Sequence, residues 1–177
     1  MNSGDNNNWT IKLASYYGHI DMVTLLLLDT GVDPSDRNND QIQYASRNEH
    51  IDKVTLLLLD VRMDPSDKDN QVIQYASSKG HINIVWLLLL DTRVDPGDNN
   101  NNNNNNEAIR WTSLEGHIDI VWLLLLDTWV NPSDYNRPIQ WASRKGHIDI
   151  VRLLLLEAIQ CTYWYSSIIT FRYTSGS

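Results

Sequence analysis

Hydrophobic residues recur along the chain in short blocks that fit one face of an α-helix. In the clearest block, from about Ile82 to Asp91, the spacing puts Ile84, Val85, Leu88 and Leu89 on one side. That spacing predicts an amphipathic helix with this face buried. A strand is the alternative interpretation, but strands favour β-branched residues over leucine. The other leucine-rich blocks along the chain also carry an acidic residue in their first turn, which suits the N-terminus of a helix. We therefore interpret these blocks as helices.

A second, shorter pattern precedes each leucine-rich block. Before the block that starts at Ile82, this pattern runs roughly from Ile73 to Lys79, with apolar and small residues at helical spacing, and Gly80 follows. Glycine there tolerates the positive φ with which many helices end. Asp95-Pro96 is expected to end the second helix, because proline cannot continue a helix. The sequence thus predicts pairs of helices joined by a glycine turn.

The helix pair occurs five times. Each copy carries the tripeptide Gly-His-Ile, or Glu-His-Ile in the second copy, and the histidines are spaced by 31, 31, 36 and 30 residues. The long interval contains eight consecutive asparagines, Asn99 to Asn106, and removing five would restore 31. We interpret this run as an inert loop, because loop-closure entropy rises slowly with length. Neither helix buries its apolar face alone, so the units must stack into a solenoid.

The array is expected to span residues 1–157, and the pattern is lost in a divergent tail, 158–177. The tail residues lean toward strand or coil, and they form either an unselected extension or a folded cap. The first copy serves as its own cap, or the chain is a piece of a longer array. The predicted units are 5–34, 36–65, 67–96, 98–132 and 134–157.

Several stretches resemble the ankyrin repeat. In the fifth copy, Arg137-Pro138-Ile139-Gln140-Trp141-Ala142 and Gly146-His147 resemble that family's Thr-Pro-Leu-His-x-Ala and Gly-His. The resemblance implies an all-α, ankyrin-type solenoid of five helix-turn-helix repeats. The units are usually two residues short of the family's, so the loops between repeats should be short. The Asn-rich loops and divergent repeats look like the ankyrin-repeat proteins of giant DNA viruses of amoebae. The signature histidine is replaced by Lys12, Gln43, Gln74, Arg110 and Gln140.

The resemblance also implies how the protein works. Ankyrin proteins bind partners on the concave face, through loops and the two variable residues before Gly-His. We therefore predict a non-catalytic protein-protein interaction module. The rival prediction is a self-associating structural array, or a decayed fragment of a longer ankyrin-repeat protein without its own partner. The variable pairs are Tyr16-Tyr17, Arg47-Asn48, Ser78-Lys79, Leu114-Glu115 and Arg144-Lys145.

Composition narrows the class of partner. The net charge of -8 argues against nucleic acid as a partner, because proteins that bind nucleic acid present basic surfaces.

The sequence also indicates where the protein is located. Apolar runs such as 84–90 are far shorter than the roughly 20 residues that cross a membrane, so no membrane-spanning segment is expected. Cys161 is the single cysteine, which suits a reducing compartment, and the N-terminus lacks signal-peptide order. We expect an intracellular, cytoplasmic protein, in the host cytoplasm if it is viral.

No motif predicts catalysis, a metal or a cofactor. The five repeat histidines cannot readily share a zinc ion, because stacked helices lie about 8–10 Å apart and zinc holds nitrogen at about 2.1 Å. The acidic loop 64–69 lacks the glycine and glutamate spacing of an EF-hand. We therefore interpret the histidines as turn residues and expect no cofactor.

Two aromatic columns remain. Tyr44, Tyr75, Trp111 and Trp141 share a position on the first helix, where packing between repeats is the favoured interpretation. Trp86 and Trp122 share a position on the second helix that is usually polar and exposed in the family. They are predicted to form an exposed apolar patch that serves self-association or a partner.

Overall fold

The computed structural model describes residues 3–97, 106–126 and 136–159, and within these ranges it contains helices and no strands. The all-α prediction is confirmed. Most of the asparagine run, the segment 127–135 and the tail from residue 160 lie outside the described residues. The first helices of the pairs are α1 (Ser3–Tyr17), α3 (Asp36–Arg47), α5 (Asp67–Ser78), α7 (Glu107–Glu115) and α9 (Asn136–Lys145). The second helices are α2 (Ile20–Leu27), α4 (Ile51–Leu59), α6 (Ile82–Leu89), α8 (Ile118–Leu125) and α10 (148–159).

The helix pairs stack in chain order to form a curved array. The first helices pack against one another more closely than the second helices do. A stack that is tighter on one side bends toward that side, so the first helices form the inner, concave layer. The core lies between the two layers and consists mainly of branched aliphatic side chains, with alanines and one methionine between them. Its fully buried members include Ile42, Ile73 and Ile109 of the inner layer and Val54, Val85 and Val121 of the outer layer.

The runs of four leucines on the outer helices divide between core and solvent. Ile84, Val85 and Leu88 are fully buried as predicted, whereas Leu89 is only partly buried against the core. A helix turns about 100° per residue, so four consecutive leucines cannot all face inward. The fourth leucine of every run is 58–77% exposed. This exposed set comprises Leu28, Leu59, Leu90, Leu126 and Leu156.

The turn between paired helices has the predicted left-handed geometry. Gly80 has a φ of 79°, and Glu49, which stands at the same place in the second repeat, has a φ of 60°. Close packing adds a second demand at Gly116, where a Cβ would lie 2.5 Å from Cε1 of His147 in the next repeat. Glycine therefore serves both the turn and the approach of the neighbouring repeat.

The inner helices begin earlier than the sequence indicated. Helix α5 starts at Asp67, six residues before the predicted Ile73. Its first turn continues through Asn70, which has a φ of 60° and donates its N–H to the carbonyl of Ser66 at 3.0 Å. The Asn70 Oδ1 accepts the backbone N–H of Asp95 at 2.9 Å, so the next repeat holds this geometry in place.

The outer helices end before the proline. Helix α6 ends at Leu89, ahead of Asp95-Pro96, and the backbone N–H of Asp91 already closes a tighter turn on the carbonyl of Leu88 at 3.0 Å. The proline therefore does not end this helix. It belongs to the turn that leads into the next repeat.

The asparagine run leaves the repeat frame unchanged. Asn106 has a φ of 64° and donates its N–H to the carbonyl of Gly97 at 2.9 Å. The same bond joins Asn70 to Ser66 in the third repeat without any insertion. The extra residues are therefore confined between two positions that are already hydrogen bonded.

Candidate functional site

Each repeat histidine fixes the backbone of the preceding repeat. The Nε2 atom lies at hydrogen-bond distance, 3.0–3.2 Å, from the carbonyl oxygen of the first residue in the preceding variable pair. The ring thereby holds the C-terminal end of an inner helix of the preceding repeat. The prediction that these histidines are structural is confirmed for four of them. The bonds join His50 to Tyr16, His81 to Arg47, His117 to Ser78 and His147 to Leu114.

The variable pairs lie at the C-terminal ends of the inner helices. Ser78 and Leu114 are half-buried, and the other eight side chains are exposed. These ends lie on the concave layer, so the exposed set occupies one side of the array. The exposed members are Tyr16, Tyr17, Arg47, Asn48, Lys79, Glu115, Arg144 and Lys145.

A groove of about 350 Å³ crosses the inner helices of the second to fourth repeats. Two basic residues of the predicted variable pairs, Arg47 and Lys79, line this groove together with Tyr75 and Trp111. The Arg47 guanidinium carbon lies 5.8 Å from the Tyr75 ring centroid, which is a cation–π distance. Gln71 and Gln74 also line the groove. Sequence reasoning missed these glutamines as contacts, although Gln74 replaces the family's signature histidine.

The inner aromatic column packs between repeats and also faces the groove. Trp111 and Trp141 of adjacent repeats meet edge to face, with centroids 5.5 Å apart, which confirms the packing prediction for this pair. The Arg110 guanidinium carbon lies 5.3 Å from the Trp141 ring. Trp111 nevertheless keeps part of its surface exposed and lines the groove. The neighbouring ring therefore holds this tryptophan while one side stays open to solvent.

Two arginines clamp the outer layer, a feature that the sequence reasoning did not find. Arg62 donates to the carbonyls of Val32 and Leu27 in the preceding repeat, at 2.8 and 3.0 Å. Its guanidinium is also paired with Asp60, through Nη2–Oδ2 at 2.6 Å. The hydrogen bonds that Arg62 donates to Asp60 lower the pKa of the Asp60 carboxyl group below its usual value. Arg93 and Asp91 repeat the arrangement, so the recurring Asp-x-Arg spacing was the available signal.

The predicted outer patch is present. Trp86 and Trp122 lie on adjacent outer helices and are 55% and 51% exposed. They border a second groove of about 350 Å³ together with Ile82, Leu123 and Leu126. This surface is predominantly apolar, and Asn83 and Asp119 are the polar residues that line it.

The architecture and the comparisons with known proteins agree on the class. Stacked helix pairs joined by hydrogen bonds from the side chains of one repeat to the backbone of another define a helical-repeat solenoid. Residues 11–100 and 73–163 match the family model for ankyrin repeats (3 copies), and the chain belongs to the ankyrin-repeat family. Such repeats are generally protein–protein interaction modules. No curated protein matches the chain. The helices that the structure describes do not include a segment with the length and hydrophobicity of a membrane span.

Proposed function

We propose that this chain is a non-catalytic interaction module that binds a protein partner on its concave face. The groove lined by Arg47, Lys79, Tyr75 and Trp111 is the observation that carries the proposal. Aromatic and arginine side chains contribute most of the binding energy in many interfaces. Here the arginine and the two rings are held by contacts within the array, so little side-chain entropy is lost on binding.

The charge of this face indicates the kind of partner. The chain carries a net charge of -8, yet Arg47, Lys79, Arg144 and Lys145 are exposed at the ends of the inner helices. Glu115 interrupts this basic set. A mixed but locally basic surface suits a protein segment with acidic and apolar side chains. Complementary charges would set the association rate and the specificity more than the affinity.

Charge reversal tests the proposal. The variant Arg47→Glu, Lys79→Glu, Lys145→Glu should keep the helical circular dichroism spectrum and nearly the same melting temperature, because exposed charges contribute little to stability. It should no longer capture the partner that the native protein retrieves from its cell. Arg152→Glu, on the outer face of α10, is the control and should retain capture. Recovery of the same partner by the triple variant would contradict the assignment of the binding face.

The outer tryptophan patch supports a second candidate function, self-association into a structural array. Its partly exposed rings, side by side on α6 and α8, are the observation that favours this function. The substitutions Trp86→Thr and Trp122→Thr test it, because Thr24 and Thr55 occupy the same position in the first two repeats. Loss of concentration-dependent assembly in sedimentation would support the patch. If the chain is instead a decayed fragment without its own partner, affinity capture from its native cell should retrieve no specific protein.

We further propose that the protein acts in the cytoplasm, which is the host cytoplasm if the resemblance to viral ankyrin-repeat proteins holds. The single cysteine, Cys161, supports a reducing compartment. Cell fractionation of the tagged chain tests this location, and recovery with the secreted fraction would contradict it.

A further inference from the structure

Basic side chains of the concave layer lie against aromatic rings of the next repeat, and two of these cations are paired with a carboxylate of the chain itself. The Lys12 Nζ atom lies 5.0 Å from the Tyr44 ring centroid and 2.5 Å from a carboxylate oxygen of Asp40. Arg110 lies at a similar distance from a ring of the next repeat and pairs with Glu107. In both places a ring and a carboxylate share one cation.

Arg47 makes the same contact with a ring but lacks the carboxylate. Its guanidinium carbon lies 5.8 Å from the Tyr75 ring centroid, and no acidic side chain among the described residues pairs with it. Lys79, one helical turn after Tyr75, has no acidic partner in these ranges either. Both line the concave groove, whose described lining residues include no acidic one. Two positive charges therefore share this groove without a negative charge beside them.

The helix spacing sets how far these charges lie from the second ring of the groove. Gln71, Tyr75 and Lys79 follow one another at intervals of four residues, so they lie along one face of α5 and its C-terminal cap. Trp111 belongs to the next inner helix, α7, and packed helices lie about 8–10 Å apart. Its side chain is 38% exposed. An apolar surface therefore lies about one helix spacing from the cation that covers Tyr75.

We propose that this groove binds an extended segment of a partner protein through a carboxylate side chain and an apolar side chain three positions apart. The inference rests on the concave-face function proposed above and specifies the chemistry of the partner. In the polyproline II conformation the chain rises about 3.1 Å per residue with three residues per turn, so such side chains lie on one side, about 9 Å apart. That separation fits a carboxylate at Arg47 and Lys79 and an apolar group on Trp111.

Two further observations favour an extended segment that comes from another protein. A polyproline II segment makes no internal hydrogen bonds, so its main-chain groups are open to a partner. Gln71 lines the groove, and its amide group offers both a donor and an acceptor to such a main chain. The asparagine run 99–106 and the segment 160–177 contain no acidic residue, so neither carries the carboxylate that this site requires.

Selection from a phage-displayed library of random ten-residue peptides on the full chain tests the assignment. The enriched peptides should include a class with an aspartate or glutamate and an apolar residue three positions away, in either direction. As free, amidated peptides, they should bind the Arg47→Gln, Lys79→Gln variant at least about tenfold more weakly, because charged hydrogen bonds are lost. Both positions are exposed, so the variant should keep its helical spectrum and melting temperature. Arg152→Gln, on the outer face of α10, is the control and should bind normally.

Double-mutant cycles assign each peptide side chain to its contact. Arg47→Gln in the protein and replacement of the peptide's acidic residue by its amide should together weaken binding less than the product of the two separate fold-changes. Trp111→Ala and replacement of the apolar residue by alanine should behave in the same way. The Arg47 cycle stands by itself if Trp111→Ala changes the helical spectrum. Independent effects in the Arg47 cycle would overturn the proposal.

The outcomes also separate this inference from the function on which it rests. Enrichment of no peptide class with that pair, beside a native capture that charge reversal abolishes, would overturn the inference and leave the concave-face function standing. Native capture that survives the charge reversal would overturn both.

Discussion

At the residue scale, Glu49 is the one turn residue that departs from glycine. Its φ of 60° lies in the left-handed region, which is strained for a residue with a Cβ. Glu49→Gly should therefore raise the free energy of unfolding by up to about 1 kcal/mol, although glycine also adds entropy to the unfolded chain. Thermal or urea unfolding measures the change.

A matched substitution separates strain from charge at this turn. The Glu49 carboxylate lies 3.5 Å from Nδ1 of His81, so its loss has an effect of its own. Glu49→Ala removes the carboxylate but keeps the Cβ, and it should give no stabilisation. If glycine and alanine behave alike, or glycine destabilises, the strain explanation is wrong.

Lys53 is the second residue at which one repeat departs from the others. It is buried at a position that carries isoleucine in the third to fifth repeats. Burial lowers the pKa of its ammonium group from 10.5, and the nearby Asp52 partly opposes this. Lys53→Ile should therefore raise the free energy of unfolding at neutral pH by about 1 kcal/mol, as replacements that restore a repeat consensus commonly do. Chemical unfolding at pH 7 measures the gain.

The lowered pKa of Lys53 also predicts a pH dependence. Between the folded-state pKa and 10.5, the unfolded chain binds more protons than the folded one, so stability should rise with pH there. This contribution should vanish in Lys53→Ile. Lys79→Ile, at an exposed position, is the control and should keep it. An unchanged slope in Lys53→Ile would show that Lys53 is not its source.

At the element scale, the leucine runs test how each outer helix is oriented. Leu88 is fully buried between layers, and Leu90, two residues later, is exposed. Leu88→Asp should lower the free energy of unfolding by about 3–5 kcal/mol, because it places an unpaired charge in the core. Leu90→Asp makes the same chemical change and should stay within about 0.5 kcal/mol of the wild type. Similar losses in both variants, measured by unfolding, would mean that the helix face is assigned wrongly.

At the scale of the whole molecule, the array should tolerate a shorter asparagine run. Deleting Asn100 to Asn104 restores the four-residue spacing that joins Ser66 to Asn70. The bond between Gly97 and Asn106 already brings the two ends together, and loop-closure entropy depends only weakly on length. Stability should therefore change by less than about 1 kcal/mol in urea unfolding. A larger loss would show that the run makes contacts of its own.

The sequence alone determined the features that depend on neighbouring residues. Five helix pairs, their turns, the left-handed residue before each histidine and the buried side of α6 follow from local spacing and backbone preference. The variable pairs could also be located, because they differ while the surrounding frame repeats.

Tertiary structure decided the features that join residues a repeat apart. His50 and Tyr16 are 34 positions apart, and Arg62 and Leu27 are 35 apart. No local pattern states which carbonyl such a side chain will reach. The early start of α5 has the same origin, because Asn70 is held by Asp95 of the next repeat. The groove exists only because stacking sets Arg47, Tyr75 and Trp111 from three successive repeats beside one another.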